Sequence, residues 1–209
     1  MKVNVQTLLI STLFMALFVS AYLFKLPPFY SFSLQFNDIN YLQNPKTPSK
    51  EIVFVAVDEK SVNTLGRWPW DRVKLAQALL RFKEAKTVVL DMVFSEPTNE
   101  SSDAQLGDAI GELGNVICGF FFDQKERQGI DESRLELLND SAIEDINAQS
   151  VELTEYNYIE PNIETIMEQC MFNAPFNTIP DIDDRFRRYP AGLVFKDSHY
   201  APLGLSALQ

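Results

Sequence analysis

A chain of 209 residues has room for one membrane segment and one globular domain, but not for a second full domain. Hydrophobic residues at 46%, among them 16 Phe, supply a packed core and exclude a disordered polypeptide. The net charge of −11 argues against binding to a phosphate backbone, which needs a basic face, so no nucleic-acid partner is expected.

Residues 8–24 (LLISTLFMALFVSAYLF) carry no charge, and the apolar character reaches back almost to the N-terminus. About 20 such residues cross a bilayer, so a transmembrane helix is predicted over about residues 5–25, inside an anchor of residues 1–26. Lys2 and Lys25 flank the run almost evenly, so the orientation has to come from the character of the downstream chain. A cleaved signal peptide has a shorter apolar stretch and a small-residue site; Val19-Ser20-Ala21 is a poor version of one, and a retained anchor is favoured. The acidic remainder, residues about 27–209, is expected outside the cytoplasm at the inner (cell) membrane.

Residues 27–49 read as a connector with some packing or short strands. Residues 52–57 (IVFVAV) form a continuous β-branched and aromatic run, predicted as a strand buried on both faces. EKSVNTLG predicts a short helix closed by Gly66, and Asp71 is a natural N-cap for a helix over DRVKLAQALLRFKEAK. Residues 87–94 (TVVLDMVF) are the second predicted strand, 103–113 a helix and 116–122 a third strand. That alternation predicts an α/β domain with a mainly parallel sheet and helices packed on it. Residues about 123–160 read as an acidic insertion without a strong strand, with order resuming by about Thr165. Beyond it come an Arg-rich strand, a strand YPAGLVF, a turn at Lys196-Asp197-Ser198 and a helix starting at Pro202.

Both tryptophans lie in GRWPWDR, residues 66–72. Trp68 and Trp70 are expected to point differently, with at least one ring largely buried; two exposed rings would favour an interface or a pocket. Asp58 stands at the C-terminal end of the first predicted strand, where open α/β sheets bind ligands, though it also suits the cap of the next helix. Asp91, inside a predicted strand, needs a partner. Asp58, Asp91 and one of Arg67, Arg72, Arg185, Arg187 or Arg188 could form one buried network, structural or ligand-binding. Asp58, Asp91 and Asp183 form a weaker, metal-binding alternative that would suit a membrane-anchored hydrolase. No phosphate loop, zinc motif or nucleophile elbow is present, so neither catalysis nor a cofactor is expected. Cys118 and Cys170 could be bridged in an exported domain, but Cys118 inside VICGFFF favours a pair of free, buried thiols.

The N-terminal membrane segment, IVFVAVDEKSVNTLGRWPWDR, LDMVFSEP and PDIDDRFRRYP before APLGLSAL together resemble the CHASE domain of the second type. This is the cyclase and histidine-kinase associated sensory extracellular domain, and the likeness covers most of residues 50–209. It implies a sensory input module of a bacterial membrane receptor that controls a kinase or nucleotide-cyclase output absent from this chain. It also implies a homodimer in the full receptor, a small-molecule ligand of unknown identity or none, and a chain truncated before its next membrane helices. A ligand-free structural or dimerisation module is the other alternative. One departure is Asp184-Arg185-Phe186, where family members often have a glycine after the acidic turn; it leaves the turn type open.

Overall fold

The computed structural model describes residues 4–125, 130–143 and 153–208, which fall into two compact units. The first is Met1–Ala56 with Pro180–Arg187, and the second is Val57–Ile179 with Arg188–Gln209.

In the first unit, α1 (Val5–Leu23) begins at Asn4, whose side chain accepts from the Gln6 N–H. Its 19 residues rise about 28 Å, near the thickness of a hydrocarbon core. It is long and apolar enough to cross a membrane, and its side chains are exposed apart from Ala21. Ser11 and Thr12 turn their hydroxyls back onto the Leu8 carbonyl, so neither leaves an unpaired donor on the apolar surface of the helix. Lys25, at φ 50°, makes the turn into α2 (Pro27–Gln43), where Phe29 meets Phe18 edge-on at 5.1 Å. The expected connector is therefore mostly helix. Pro27 and Pro28 occupy its first turn, where their missing N–H groups cost nothing.

The run IVFVAV is the largest difference from expectation. Residues 52–57 join no described ladder, and Phe54 is 94% exposed. β-propensity registers only against a paired, half-covered surface, and here the boundary between the two units falls inside the run, after Ala56.

The second unit is built around β2 (Val116–Asp123), whose apolar run is buried almost throughout. β1 (Val88–Leu90) and β5 (Phe172–Pro175) pair with it in parallel, and β4 (Tyr158–Glu160) pairs with its C-terminal end antiparallel. A second sheet has β3 (Thr154–Tyr156) parallel to β6 (Leu193–Phe195), and β6 antiparallel to β7 (Ser198–Tyr200). The fold is mixed α/β, as expected in class, but both sheets are mixed rather than mainly parallel. Lys196 and Asp197 take positive φ in the two-residue β6–β7 turn, matching the twist a tight hairpin requires. Order also resumes earlier than expected, with β3 and β4 before Thr165; the rest of the acidic insertion includes 126–129 and 144–152, outside the described residues.

Alternation along β2 distributes its side chains. Val116 and Cys118 pack with α4 (Arg72–Leu79) and α5 (Glu100–Leu113) through Ala76, Leu79, Leu106 and Ile110. Phe120 and Phe122 enter an aromatic cluster in which Phe122 lies 5.1 Å from Phe195, 5.4 Å from Tyr200 and 5.6 Å from Tyr156. Ile117, pointing oppositely, meets Ala174 and Leu203 of α8 (Leu203–Ser206). Gly119 lets the end of β1 come close: an added Cβ would sit 2.4 Å from the Leu90 carbonyl oxygen. α6 (Glu132–Asn139) and α7 (Glu164–Met167) bring Leu138 and Met167 to the aromatic cluster.

Cys118 and Cys170 are bridged, with Cα atoms 5.9 Å apart. This corrects the expectation of free thiols. The burial that suggested an inert Cys118 equally places it beside the chain that runs from α7 into β5, and Cys170 stands there.

Candidate functional site

The junction that holds GRWPWDR is assembled by caps. Asp58 accepts from the backbone N–H and the hydroxyl of Ser61 (2.8 and 2.6 Å) and starts α3 (Glu59–Leu65); the hydroxyl bond holds its carboxyl below the usual aspartate range. Asp58 is thus a helix cap. Gly66, at φ 96°, ends α3 in a conformation that side chains rarely adopt. Asp71 accepts from the Val73 N–H and starts α4. Between them Trp68 and Trp70 meet edge-on at 5.5 Å across the cis Trp68–Pro69 bond, and the Trp70 indole donates to the Gly66 carbonyl (2.7 Å).

Neither tryptophan is a core anchor: Trp68 is 38% exposed and Trp70 half-buried, against the expectation of one largely buried ring. They cover each other and the turn instead.

Arg72, the last residue of the motif, is the buried one, at 5% exposure. Its guanidinium donates to Asp103 and to the Glu96 carbonyl and lies 5.3 Å from the Phe94 ring centre. Asp103 also accepts from the Thr98 hydroxyl (2.7 Å) and backbone N–H (3.0 Å). Burial opposes its charge, but the Thr98 bonds and the Arg72 charge keep its carboxyl below the usual range. A buried carboxylate–arginine pair is present here, but it joins Arg72 to Asp103 rather than to Asp58 or Asp91. Asp91 lies just past the end of β1, which stops at Leu90, and its side chain is exposed and makes no hydrogen bond among the described residues. Arg67 is exposed, as is Arg188.

Sequence reading missed Asp103, although it was detectable. Arg72 shares a helical face with Ala76 and Leu79, and Asp103 shares one with Leu106 and Ile110, so each charge lies on an apolar stripe and needs a partner.

The second cluster lies wholly in the first unit. Arg187 forms a two-pronged pair with Asp38 of α2, Nε to Oδ1 at 2.7 Å and Nη2 to Oδ2 at 2.9 Å. It also donates to Asp183 (2.6 and 2.8 Å) and Asp181 (3.1 Å), and Arg185 adds a 3.2 Å bond to Asp38. Three carboxylates thus surround one guanidinium whose side chain is 13% exposed. Asp184 makes the turn with φ 58°, a left-handed conformation that a glycine would take freely and that aspartate tolerates; this settles the departure at 184–186. The proposed Asp183 and Arg187 are brought together here. Asp38 was missed, though it is the single charge between Lys25 and Lys46.

Hydrogen bonds from Arg187 lower the Asp183 pKa from 3.8 to about 2, lower that of Asp38, and raise that of Arg187. A folded pKa below the unfolded one means that this clasp contributes its full stability above about pH 4 and loses it as pH falls toward about 2. Hydrogen exchange of the α2 amides should accelerate across that window, and Asp183→Asn should lose part of the acid step; identical profiles would refute the assignment. Among the described residues no three of His, Cys, Asp and Glu are grouped to hold a metal ion.

A helix long and apolar enough to cross a membrane, followed by a disulfide-bridged mixed α/β unit, sets the class of domain to which the chain is compared. A family model for the CHASE2 domain matches residues 12–209, and the chain belongs to that family. CHASE2 domains are extracellular sensory domains of receptors, not catalytic ones. No curated protein and no solved structure matches the chain.

Proposed function

We propose that this chain is the signal-input domain of a bacterial membrane receptor. It is held at the inner membrane by α1 with residues about 27–209 outside the cytoplasm, and it biases a cytoplasmic signalling output such as a kinase or nucleotide cyclase. The observation that carries this reading is the Arg187 clasp. Residues 180–187 interrupt the second unit in sequence yet belong to the first, where Arg187 grips Asp38 on the helix that follows α1. A change in the sensory unit therefore reaches α2 along the chain that enters and leaves residues 180–187, and through the two-pronged ion pair that they hold.

A stimulus works through such a device only by favouring one clasp state over the other; complete switching from 1:99 to 99:1 takes about 10⁴-fold difference in affinity. The Cys118–Cys170 bridge supports the location, because disulfides persist outside the reducing cytoplasm. Alkaline phosphatase fused after Gln209 should be active in cells, since that enzyme matures only outside the cytoplasm. An inactive fusion at normal expression would overturn the reading.

A further inference from the structure

On α2 the face holding Tyr30, Leu34 and Asp38 is engaged within the chain: Leu34 is buried, and Asp38 is held by Arg187. The opposite face carries Phe29, Phe32, Phe36 and Ile39, exposed by 36%, 69%, 65% and 49%, with Phe29 alone meeting another ring among the described residues, Phe18. Their spacing of three, four and three residues is the a/d repeat by which one helix packs along another. So large an apolar stripe on a helix that emerges from the membrane calls for a cover.

We infer that the cover is the same stripe of a second copy, the two α2 helices packing in parallel about a two-fold axis. Positions flanking the seam are Ser33, Gln35, Asn40 and Leu42, all uncharged, and Asp38 points away into its ion pair. Two chains of charge −11 therefore meet here without like charges facing each other. A helix lying on lipid headgroups characteristically has Lys and Arg on its polar face, and α2 has neither. The parallel orientation rests on the proposed anchoring by α1, which gives both copies the same height and direction; the pairing chemistry does not.

The test uses the full chain in membranes, with a single added cysteine and the native bridge intact. Phe36→Cys on the stripe should form covalent dimers under a short oxidative pulse, while Tyr41→Cys on the other side, 73% exposed, stays monomeric. Phe36→Glu in otherwise native chain should lose the dimer in sedimentation while the native bridge remains oxidised. Equal cross-linking at both positions, a monomeric native chain, or quenching of a tryptophan placed at position 36 by brominated lipid would each overturn the pairing. Cross-linking failure alongside an active phosphatase fusion sinks only this inference; stripe-specific cross-linking with an inactive fusion sinks only the sensory reading.

Discussion

Replacing Cys118 and Cys170 together by alanine is expected to lower unfolding stability by about 4 kcal/mol, the chain-entropy value for a loop closed across a separation of 52 residues. Cys118 is 1% exposed in β2 and Cys170 lies just before β5, so the bridge ties the central strand to the segment that delivers its parallel neighbour. Without it, the 52-position excursion that contains the acidic insertion is free in the unfolded chain. Urea unfolding reads the loss directly: with a slope of about 2 kcal/mol/M the midpoint falls by about 2 M. Reducing the native protein should reproduce most of that shift. A change below about 1 kcal/mol in both experiments would mean that the bridge contributes little to the fold.

Asp103→Ala should cost about 3–5 kcal/mol, because it strands the Arg72 guanidinium among apolar side chains. Arg72 keeps its bond to the Glu96 carbonyl, but no other carboxylate takes the place of Asp103, and Thr98 loses two bonds. The partner substitution separates the value of the pair from the penalty of an orphaned charge. Arg72→Met combined with Asp103→Leu should recover much of the loss, since apolar residues of similar volume often replace a buried ion pair at little cost. If the double variant is no more stable than Asp103→Ala, the loss comes from packing or from the Thr98 bonds rather than from the unpaired charge. A single variant within about 0.5 kcal/mol of the native chain would contradict the buried pair itself.

What the sequence made legible was local. Asp58, Gly66 and Asp71 mark the ends of α3 and α4 because caps depend on the chemistry of single residues. β2 was legible because a strand covered on both faces is apolar throughout. The mixed pairing was not: β4 is three residues, Tyr158–Glu160, too short to show a period, and its direction depends on a distant partner. α2 was hidden by Phe32, Leu34 and Phe36 alternating with Ser33 and Gln35, which imitates a strand. Pro27 and Pro28 at its first turn were the signal against that reading.

Site residues divided the same way. Asp183 and Arg187 lie four apart and found each other, but their third partner, Asp38, is 149 positions from Arg187. GRWPWDR drew attention through its rings, whereas the residue it buries is Arg72.

Sidedness tests the central claim, an anchored sensory domain outside the cytoplasm, most directly. With alkaline phosphatase and a green fluorescent protein fused in turn after Gln209, the phosphatase should be active and the fluorescent protein dark, and deleting residues 4–24 should reverse both. A bright fluorescent fusion and a silent phosphatase on the intact chain would place the domain in the cytoplasm and contradict the claim.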